Sequence, residues 1–248
     1  MTAVVDVRGL SKWFGGVAAV RDVDLHIEAG ERRAVLGPNG AGKTTTFNLI
    51  AGGIRPTSGS IELFGEDVTA LNARRRTRRG LSRTFQTSRL LSGLTVEENV
   101  YLAFVGVRGG RLRMIRGRAD VDARDAARAA ASRVGLVDRL GTAAGDLSHG
   151  EQRQLEIALA LVTEPKLLLL DEPAAGLSRA ERLLLVDLLL GLESSVTLVI
   201  IEHDMNVALT VAEKVTMMHE GAVIMEGTPD EVRSSERVHS LYLGRGDA

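Results

Sequence analysis

Cysteine is absent from this 248-residue chain, and aromatic residues make up only 3% of it. Without cysteine there can be no disulfide framework and no thiolate metal site. No hydrophobic run approaches the roughly 18 apolar residues of a membrane-spanning helix, and the N-terminal residues lack a signal-peptide pattern. We therefore expect a protein that is made and kept in the cytoplasm, where any membrane role must come through a partner.

An excess of one charge is also lacking, because 31 basic and 32 acidic residues give a net charge of −1. Such a balance produces no global field that favours nucleic acid, so no nucleic-acid partner is expected. The arginine-rich stretch 74–79 could contact nucleic acid or lipid head groups, but we interpret it as a solvated helix face. The leucine-rich run 183–190 is interpreted as a buried helix face.

Glycine is plentiful, and its most informative cluster lies in residues 37–45, which read GPNGAGKTT. This stretch fits the phosphate-loop pattern G-x-x-x-x-G-K-[ST], in which backbone N–H groups surround a phosphate. A strand-like run, 33–36, precedes the loop, and a run that can form a helix, 45–50, follows it, as the mechanism requires. We predict that nucleotide phosphates bind to Gly37, Pro38, Asn39, Gly40, Ala41, Gly42, Lys43, Thr44 and Thr45.

Two acidic residues follow another strand-like run, in the sequence LLLLDEP of residues 167–173. The carboxyl end of a buried parallel strand is where α/β sheets bind ligands. We predict that Asp171 and the Thr44 hydroxyl hold Mg²⁺, and that Glu172 orients and deprotonates the attacking water. Paired acids after a strand can also simply cap a turn, but the phosphate loop upstream favours the functional interpretation.

Three shorter motifs add candidate residues to this site. His203, in IIEHD, directly follows a third strand-like run and is predicted to contact the γ-phosphate. Gln86, in TFQ, has a neutral side chain that can touch both Mg²⁺ and the attacking water. In LSHGE, Ser148 can cap the helix that follows and Gly150 leaves room for a close anion. This helix N-terminus is a second one that could bind phosphate, and the other motifs leave it without a ligand within its own chain.

The remaining pattern predicts an α/β fold with two additions to a P-loop NTPase core. Alternating apolar and polar runs near the N-terminus predict a small antiparallel sheet, and so a β-rich N-terminal subdomain. Amphipathic, alanine-rich runs predict an inserted helical subdomain over about 90–162. We therefore expect a single domain over residues 1–248, with its nucleotide-binding core in 1–89 and 163–248.

The five motifs stand in one order, and through them the chain resembles the ATP-binding subunits of ABC transporters over essentially its full length. GPNGAGKTT is similar to their Walker A, TFQ to their Q-loop, LSHGE to their signature, LLLLDEP to their Walker B and IIEHD to their H-loop. The resemblance implies an ABC ATPase fold and a head-to-tail pair of ATPase subunits, as a homodimer or a heterodimer. ATP would lie between the Walker A of one subunit and the signature of the other.

The same resemblance assigns roles to residues outside the phosphate loop. Ser148 and Gly150 would contact the γ-phosphate of the partner's ATP. An aromatic residue near Gly15 would stack on adenine, and we favour Phe14 over Trp13 for this role. The chain departs from the family's usual LSGGQ at His149 and Glu151, and it has Ser178 where the family usually has an acid.

Further sequence segments, among them RTFQ, DEPAAGL and IIEHDM, resemble those of the ATP-binding subunits of branched-chain amino acid importers. The resemblance implies ATP hydrolysis with Mg²⁺ at the cytoplasmic face of the membrane, with permease subunits and, indirectly, a substrate-binding protein as partners. Urea and amide importers and the ATPase of lipopolysaccharide export are similar alternatives. A soluble ABC protein without a transport role is an alternative from another class. Such proteins often carry two ATPase units or long coiled-coil inserts, and this chain has neither.

Overall fold

The computed structural model describes residues 3–84, 90–108, 118–236, 238 and 240. Gln86 lies outside the described residues, so its predicted role stays a prediction. Among the described residues no helix has both the length and the apolar character that crossing a membrane requires.

A six-stranded sheet forms the centre of the molecule. Its strand order is β10-β9-β3-β8-β7-β6, in which all neighbours are parallel except the antiparallel pair β9 and β10. Because the parallel strands β3, β7 and β8 are adjacent, the residues that follow them meet at one edge of the sheet. The strands are β3 (Arg32–Leu36), β6 (Leu81–Arg83), β7 (Leu167–Asp171), β8 (Thr197–Ile201), β9 (Lys214–His219) and β10 (Ala222–Gly227).

A second, antiparallel sheet has the strand order β2-β1-β4-β5. Its strands are β1 (Ala3–Phe14), β2 (Val17–Glu28), β4 (Ser58–Leu63) and β5 (Glu66–Asp67). The small antiparallel sheet predicted near the N-terminus is therefore present, although β1 and β2 are longer than the runs that predicted them.

The helices lie on both faces of the central sheet. They are α1 (Lys43–Ile50), α2 (Ala73–Thr77), α3 (Val96–Arg108), α4 (Arg118–Arg133), α5 (His149–Leu161), α6 (Arg179–Leu190), α7 (Met205–Val211) and α8 (Pro229–Ser234). Helices α3, α4 and α5 pack on one another, and all three begin and end within residues 90–162. We propose that this stretch is the helical subdomain.

Alternate residues of the central strands belong to two different hydrophobic clusters. In β7, Leu168 and Leu170 face the cluster that contains α3, α4 and α5. Leu167 and Leu169 face the cluster shared with α1 and the antiparallel sheet. This two-residue period explains why β7 reads as an uninterrupted apolar run, since both of its faces are covered.

Two interpretations of surface and core were wrong in part. In the arginine-rich stretch, Arg76 is fully buried, whereas Arg74 and Arg75 are exposed. In the leucine-rich run of α6, Leu183 and Leu184 are exposed while Leu185 and Leu189 are buried. Both stretches are short amphipathic elements, and the tertiary neighbours decide which side chain of each is covered.

Candidate nucleotide site

The phosphate loop connects the end of β3 to the start of α1. Gly37 has φ 151°, Gly40 φ 81° and Gly42 φ 96°, values that residues with a side chain rarely adopt. A Cβ atom on Gly42 would lie 2.5 Å from the carbonyl oxygen of Ala19. A Cβ on Gly37 would overlap the carbonyl oxygen of Met218. The neighbouring strands therefore require glycine at positions 37 and 42, in addition to any requirement from a phosphate.

Lys43 is the first residue of α1 and is only 5% exposed. Its Nζ donates to the carbonyl oxygens of Gly37, at 2.6 Å, and Pro38, at 3.1 Å. Burial lowers the pKa of this ammonium group, while the charges of Glu172 and Asp171 act in the opposite direction. The loop thus curls around its own lysine, with the N-terminal N–H groups of α1 beside it, as an anion site requires.

An open cleft of about 680 Å³ lies beside this loop. Its lining brings together residues of the loop, of the β1–β2 hairpin and of three other loops at the carboxyl edge of the sheet. They are Trp13, Gly16, Val17, Ala18, Ala19, Arg21, Asn39, Gly40, Ala41, Gly42, Lys43, Thr44, Thr45, Glu172, His203 and Glu220. The cleft therefore unites the predicted phosphate loop with Glu172 and His203, which are distant in the sequence.

Asp171 ends β7 with no exposed surface. Its Oδ2 accepts a hydrogen bond from Arg83 at 2.8 Å, and its backbone N–H donates to Thr84 Oγ1 at 3.4 Å. Within the described part of the chain, Oδ1 of this carboxylate has no hydrogen-bond partner. A buried oxygen of this kind is suited to a cation or to a water bound to one.

The donor set near the loop fits Mg²⁺ that is held partly by phosphate. In the described ranges, no three His, Cys, Asp or Glu side chains are arranged to hold a metal ion by themselves. Mg²⁺ in nucleotide sites takes one or two protein ligands and completes its shell with phosphate oxygens and water. The Thr44 hydroxyl and the Asp171 carboxylate are sufficient for that kind of site.

Glu172 and His203 form a direct contact at the cleft. Glu172 Oε1 and His203 Nε2 are 2.7 Å apart, and the two side chains are 14% and 43% exposed. An ionised carboxylate only accepts hydrogen bonds, so in that state His203 Nε2 is the donor. Glu172 also has φ 50°, a strained value for a residue with a side chain, and its N–H donates to the Ile201 carbonyl. Strain of this type is frequently found at functional sites.

Ser148 and Gly150 lie at the start of α5 and outside the lining described for the cleft. Ser148 Oγ accepts from the Glu151 N–H, and Glu151 Oε2 accepts from the Ser148 N–H, so the two residues form a capping box. The N–H of Gly150 donates to Glu181 Oε1 at 2.9 Å. The space that the sequence suggested for an anion at Gly150 is therefore occupied by a carboxylate of α6.

The departures at Glu151 and Ser178 have structural explanations. Glu151 forms an ion pair with Arg139 at 2.9 Å in addition to its capping box. Ser178 caps α6, and its N–H donates to Glu181 Oε2 at 2.8 Å. Glu181 therefore links the starts of α5 and α6. The pattern Ser-x-x-Glu at 178–181 could have indicated the capping box, but no sequence signal indicated the bond to Gly150.

Phe14 and Trp13 are about equally exposed, at 51% and 49%. Phe14 lies at the end of β1 with the Lys12 ammonium 5.1 Å from its ring centre. Trp13 is the aromatic residue in the described lining of the cleft. The choice of Phe14 for adenine stacking stays a prediction.

Comparisons with protein families and solved structures confirm the predicted family. The family model described as ABC transporter matches residues 20–175, and that described as branched-chain amino acid ATP-binding cassette transporter matches residues 222–248. The high-affinity branched-chain amino acid transport ATP-binding protein BraF of Pseudomonas aeruginosa is 37% identical over 251 residues, which cover 97% of this chain and 98% of BraF.

Two solved ATP-binding cassettes of ABC transporters have similar folds. The ADP conformation of MJ1267 is 26% identical, with a TM-score of 0.88, over 99% of this chain and 100% of that one. The dimeric post-hydrolysis state of MJ0796, bound to ADP and Pi, is 27% identical, with a TM-score of 0.78, over 91% of this chain and 98% of that one.

Proposed function

The chain belongs to the ATP-binding subunits of ABC transporters, and from that premise we propose that it is the ATPase that powers import of branched-chain amino acids. The observation that carries the proposal is the convergence of Lys43, Glu172 and His203 on one cleft, with Asp171 buried behind it. The cargo is supported by the similarity to BraF and by the family match at residues 222–248.

In the proposed mechanism, the chain's own groups first bind and orient ATP. The N–H groups of the phosphate loop and the Lys43 ammonium hold the β- and γ-phosphates. The Phe14 ring stacks on adenine. Thr44, Asp171 and Gln86 would hold Mg²⁺, which neutralises phosphate charge when it is bound. Hydrolysis then requires a base beside the γ-phosphate and a donor that stabilises negative charge on the γ-phosphate oxygens.

We assign that base to Glu172, since it lines the same cleft as Lys43. It accepts a proton from the attacking water, so the new oxygen–phosphorus bond forms as the bond to the leaving ADP breaks. His203 Nε2 holds Glu172 in position at 2.7 Å. The predicted contact of His203 with the γ-phosphate would share this N–H between two acceptors. Gln86 is the proposed second contact to the attacking water.

Two subunits are needed to complete each site in this proposal. Ser148 and Gly150 lie outside the described lining of their own chain's cleft, so we assign them to a partner's ATP. The dimeric state of the similar cassette MJ0796 supports this arrangement. The partner is a second ABC ATPase subunit, either a copy of this chain or a related one. Release of the Gly150 N–H from Glu181 would accompany closure of the dimer.

The membrane connection is proposed to run through the helical subdomain and Gln86 to permease subunits. The ATPase would sit at the cytoplasmic face of the membrane, and a substrate-binding protein would deliver cargo from the other side. ATP closes the dimer, hydrolysis reopens it, and the permease follows that motion. Similarity to a branched-chain amino acid transport protein is the support for these partners.

Purification from membranes and reconstitution test this function. A tagged chain should co-purify with permease subunits, and proteoliposomes containing the complex and its binding protein should take up leucine when MgATP is enclosed. The Glu172→Gln complex is the matched control and should not transport. Uptake of urea instead of leucine would show that urea is the cargo. Extraction of lipopolysaccharide would show that the complex exports its cargo instead of importing it. Recovery of the chain without any permease would favour a soluble ABC ATPase.

A further inference from the structure

Glu202 is a buried glutamate that the proposed chemistry leaves without a role. It directly follows β8 and is only 2% exposed. Burial raises the pKa of its carboxyl group, because a charge there loses hydration, although nearby backbone N–H groups partly oppose this. A buried carboxyl group is costly unless its hydrogen bonds are satisfied, so its partners indicate what it does.

The two oxygens of Glu202 bind two different loops. Oε1 accepts from the backbone N–H of Ala174 at 2.7 Å. Oε2 accepts from the backbone N–H of His203 at 3.1 Å, with a longer contact of 3.5 Å from Asp204. Ala174 lies in the loop that begins with Glu172, and His203 lies in the loop after β8. One carboxylate therefore connects the backbones that carry the two side chains in contact at the cleft.

A second side-chain link between these loops exists, but it is more exposed. Arg182, with a side chain 43% exposed, pairs with Asp204 at 2.9 Å and donates to the Leu177 carbonyl at 3.1 Å. Exposed ion pairs restrain geometry weakly, whereas buried hydrogen bonds to a carboxylate are strong. The Glu172 N–H also donates to the Ile201 carbonyl at 2.9 Å, which ties the start of the Glu172 loop to the end of β8. Of the two side-chain links, the buried one at Glu202 is the one suited to fix the His203 backbone relative to Glu172.

We propose that Glu202 is a positioning residue for ATP hydrolysis, which holds the His203 loop and the Glu172 loop at the spacing that keeps His203 Nε2 in contact with Glu172. The inference rests on the proposed roles of Glu172 and His203. Glu202 touches neither ATP nor water in this account, and it acts only through the contact between those two side chains.

The substitution Glu202→Gln tests this role with little change in volume. A glutamine keeps one acceptor oxygen but turns an NH₂ donor toward a backbone N–H, so it can hold one loop and not both. We expect kcat for MgATP to fall about 10- to 100-fold, since small misplacements of catalytic groups have effects of this size. KM and the affinity for ATP should change less than about twofold, because the phosphate loop is untouched.

Glu31→Gln is the matched control for general destabilisation. Glu31 is also a buried glutamate, 6% exposed, next to a strand of the same sheet. It pairs with Arg33 and Lys214, away from the lining described for the cleft. Both variants should lower the unfolding midpoint, but only Glu202→Gln should lower kcat. An equal loss of kcat in the two variants would overturn the positioning role.

A double-mutant cycle with His203→Ala identifies the route of the effect. If Glu202 acts through the contact with His203, then Glu202→Gln should lower kcat less than about twofold in a His203→Ala background. The same fold loss in both backgrounds would overturn the proposal. If His203→Ala itself leaves kcat unchanged, the proposed role of His203 fails together with this inference. If His203→Ala lowers kcat and Glu202→Gln does not, this inference alone fails.

Two further measurements decide the matter should Glu202→Gln fail to fold. Glu202→Asp keeps the carboxyl group and both of its oxygens but shortens the side chain, so it should fold and still lose kcat. Amide hydrogen exchange in the unmodified protein should show strong protection of the Ala174 and His203 amides. Exchange of either amide at the rate of an open loop, or full kcat in Glu202→Asp, would contradict the proposal.

Discussion

The fully buried side chain of Arg76 has a structural role in the fold. Its guanidinium donates to the carbonyl oxygens of Leu49 and Ile50, both at 2.7 Å, at the end of α1. It also donates to the carbonyls of Leu71 at 3.0 Å and Thr69 at 3.2 Å. Burial lowers its pKa to about 10, so the group is still charged at neutral pH. The cation therefore stabilises the carboxyl end of the helix whose other end faces the phosphates.

Replacing this guanidinium should destabilise the protein strongly. Arg76→Met removes the guanidinium from four carbonyl groups, two of them in buried hydrogen bonds, so we expect the free energy of unfolding to fall by about 2–4 kcal/mol. Chemical denaturation measures the change. Arg74→Met, on the exposed face of the same helix, is the control and should change stability by less than about 0.5 kcal/mol. A change of similar size in both variants would argue against the buried network.

The aromatic pair beside the cleft provides a second prediction at this scale. Phe14→Ala should weaken ATP binding by about 1–3 kcal/mol, the amount typical of a base stacked on an aromatic ring. Trp13→Ala should have a smaller effect, since we assign stacking to Phe14. Titration of both variants with a fluorescent ATP analogue compares them directly. The reverse order of losses would transfer the stacking role to Trp13.

Among the elements, α5, α6 and α8 share one way of starting. Each begins with a Ser or Thr cap and a Glu three residues later, in a reciprocal capping box. Hydrogen bonds from the cap residue lower the pKa of Glu151, Glu181 and Glu231 below the ordinary 4.5. A carboxyl group whose pKa is lower in the folded state stabilises the fold above its ordinary pKa. That contribution disappears as the pH falls through the lowered value.

The cap of α8 offers a test that leaves the nucleotide site alone. Thr228→Ala removes the cap hydroxyl, which accepts from the Glu231 N–H at 3.3 Å, so stability at pH 7 should fall by about 1 kcal/mol. As the pH falls below 4.5 and through the lowered pKa of Glu231, its carboxylate becomes protonated in the folded protein, so the difference between variant and unmodified protein should shrink. Thermal unfolding at pH 7 and pH 3.5 measures it. A difference that grows on acidification would contradict the capping-box account.

Elements that are specified by adjacent residues could be predicted, whereas contacts between residues distant in the sequence could not. The glycine spacing of the phosphate loop predicted β3 and α1, and the apolar runs predicted β7 and β8, because these patterns lie in adjacent residues. The burial of Arg76 depends on α1, and the bond from Glu181 to Gly150 joins two helices. Neither has a periodic signature, so both required the structure.

For the whole molecule, the separation of Ser148 from its own chain's cleft predicts ATP-dependent pairing. Glu172→Gln should trap ATP and form a dimer that sedimentation velocity detects. Adding Ser148→Arg should prevent that dimer by placing a bulky cation at the interface, while the single chain still binds ATP. Adding Ser132→Arg, at an exposed position of α4, should leave dimer formation intact. Dimers that survive Ser148→Arg would contradict the shared site.

The most direct measurement of the central claim is the rate of MgATP hydrolysis by the purified chain and its Glu172→Gln variant. If Glu172 is the base at the cleft, the variant should bind ATP as tightly as the unmodified protein. Its turnover should fall by about 100-fold or more, as loss of a general base predicts. Full turnover in Glu172→Gln, with ATP binding unchanged, would contradict the account.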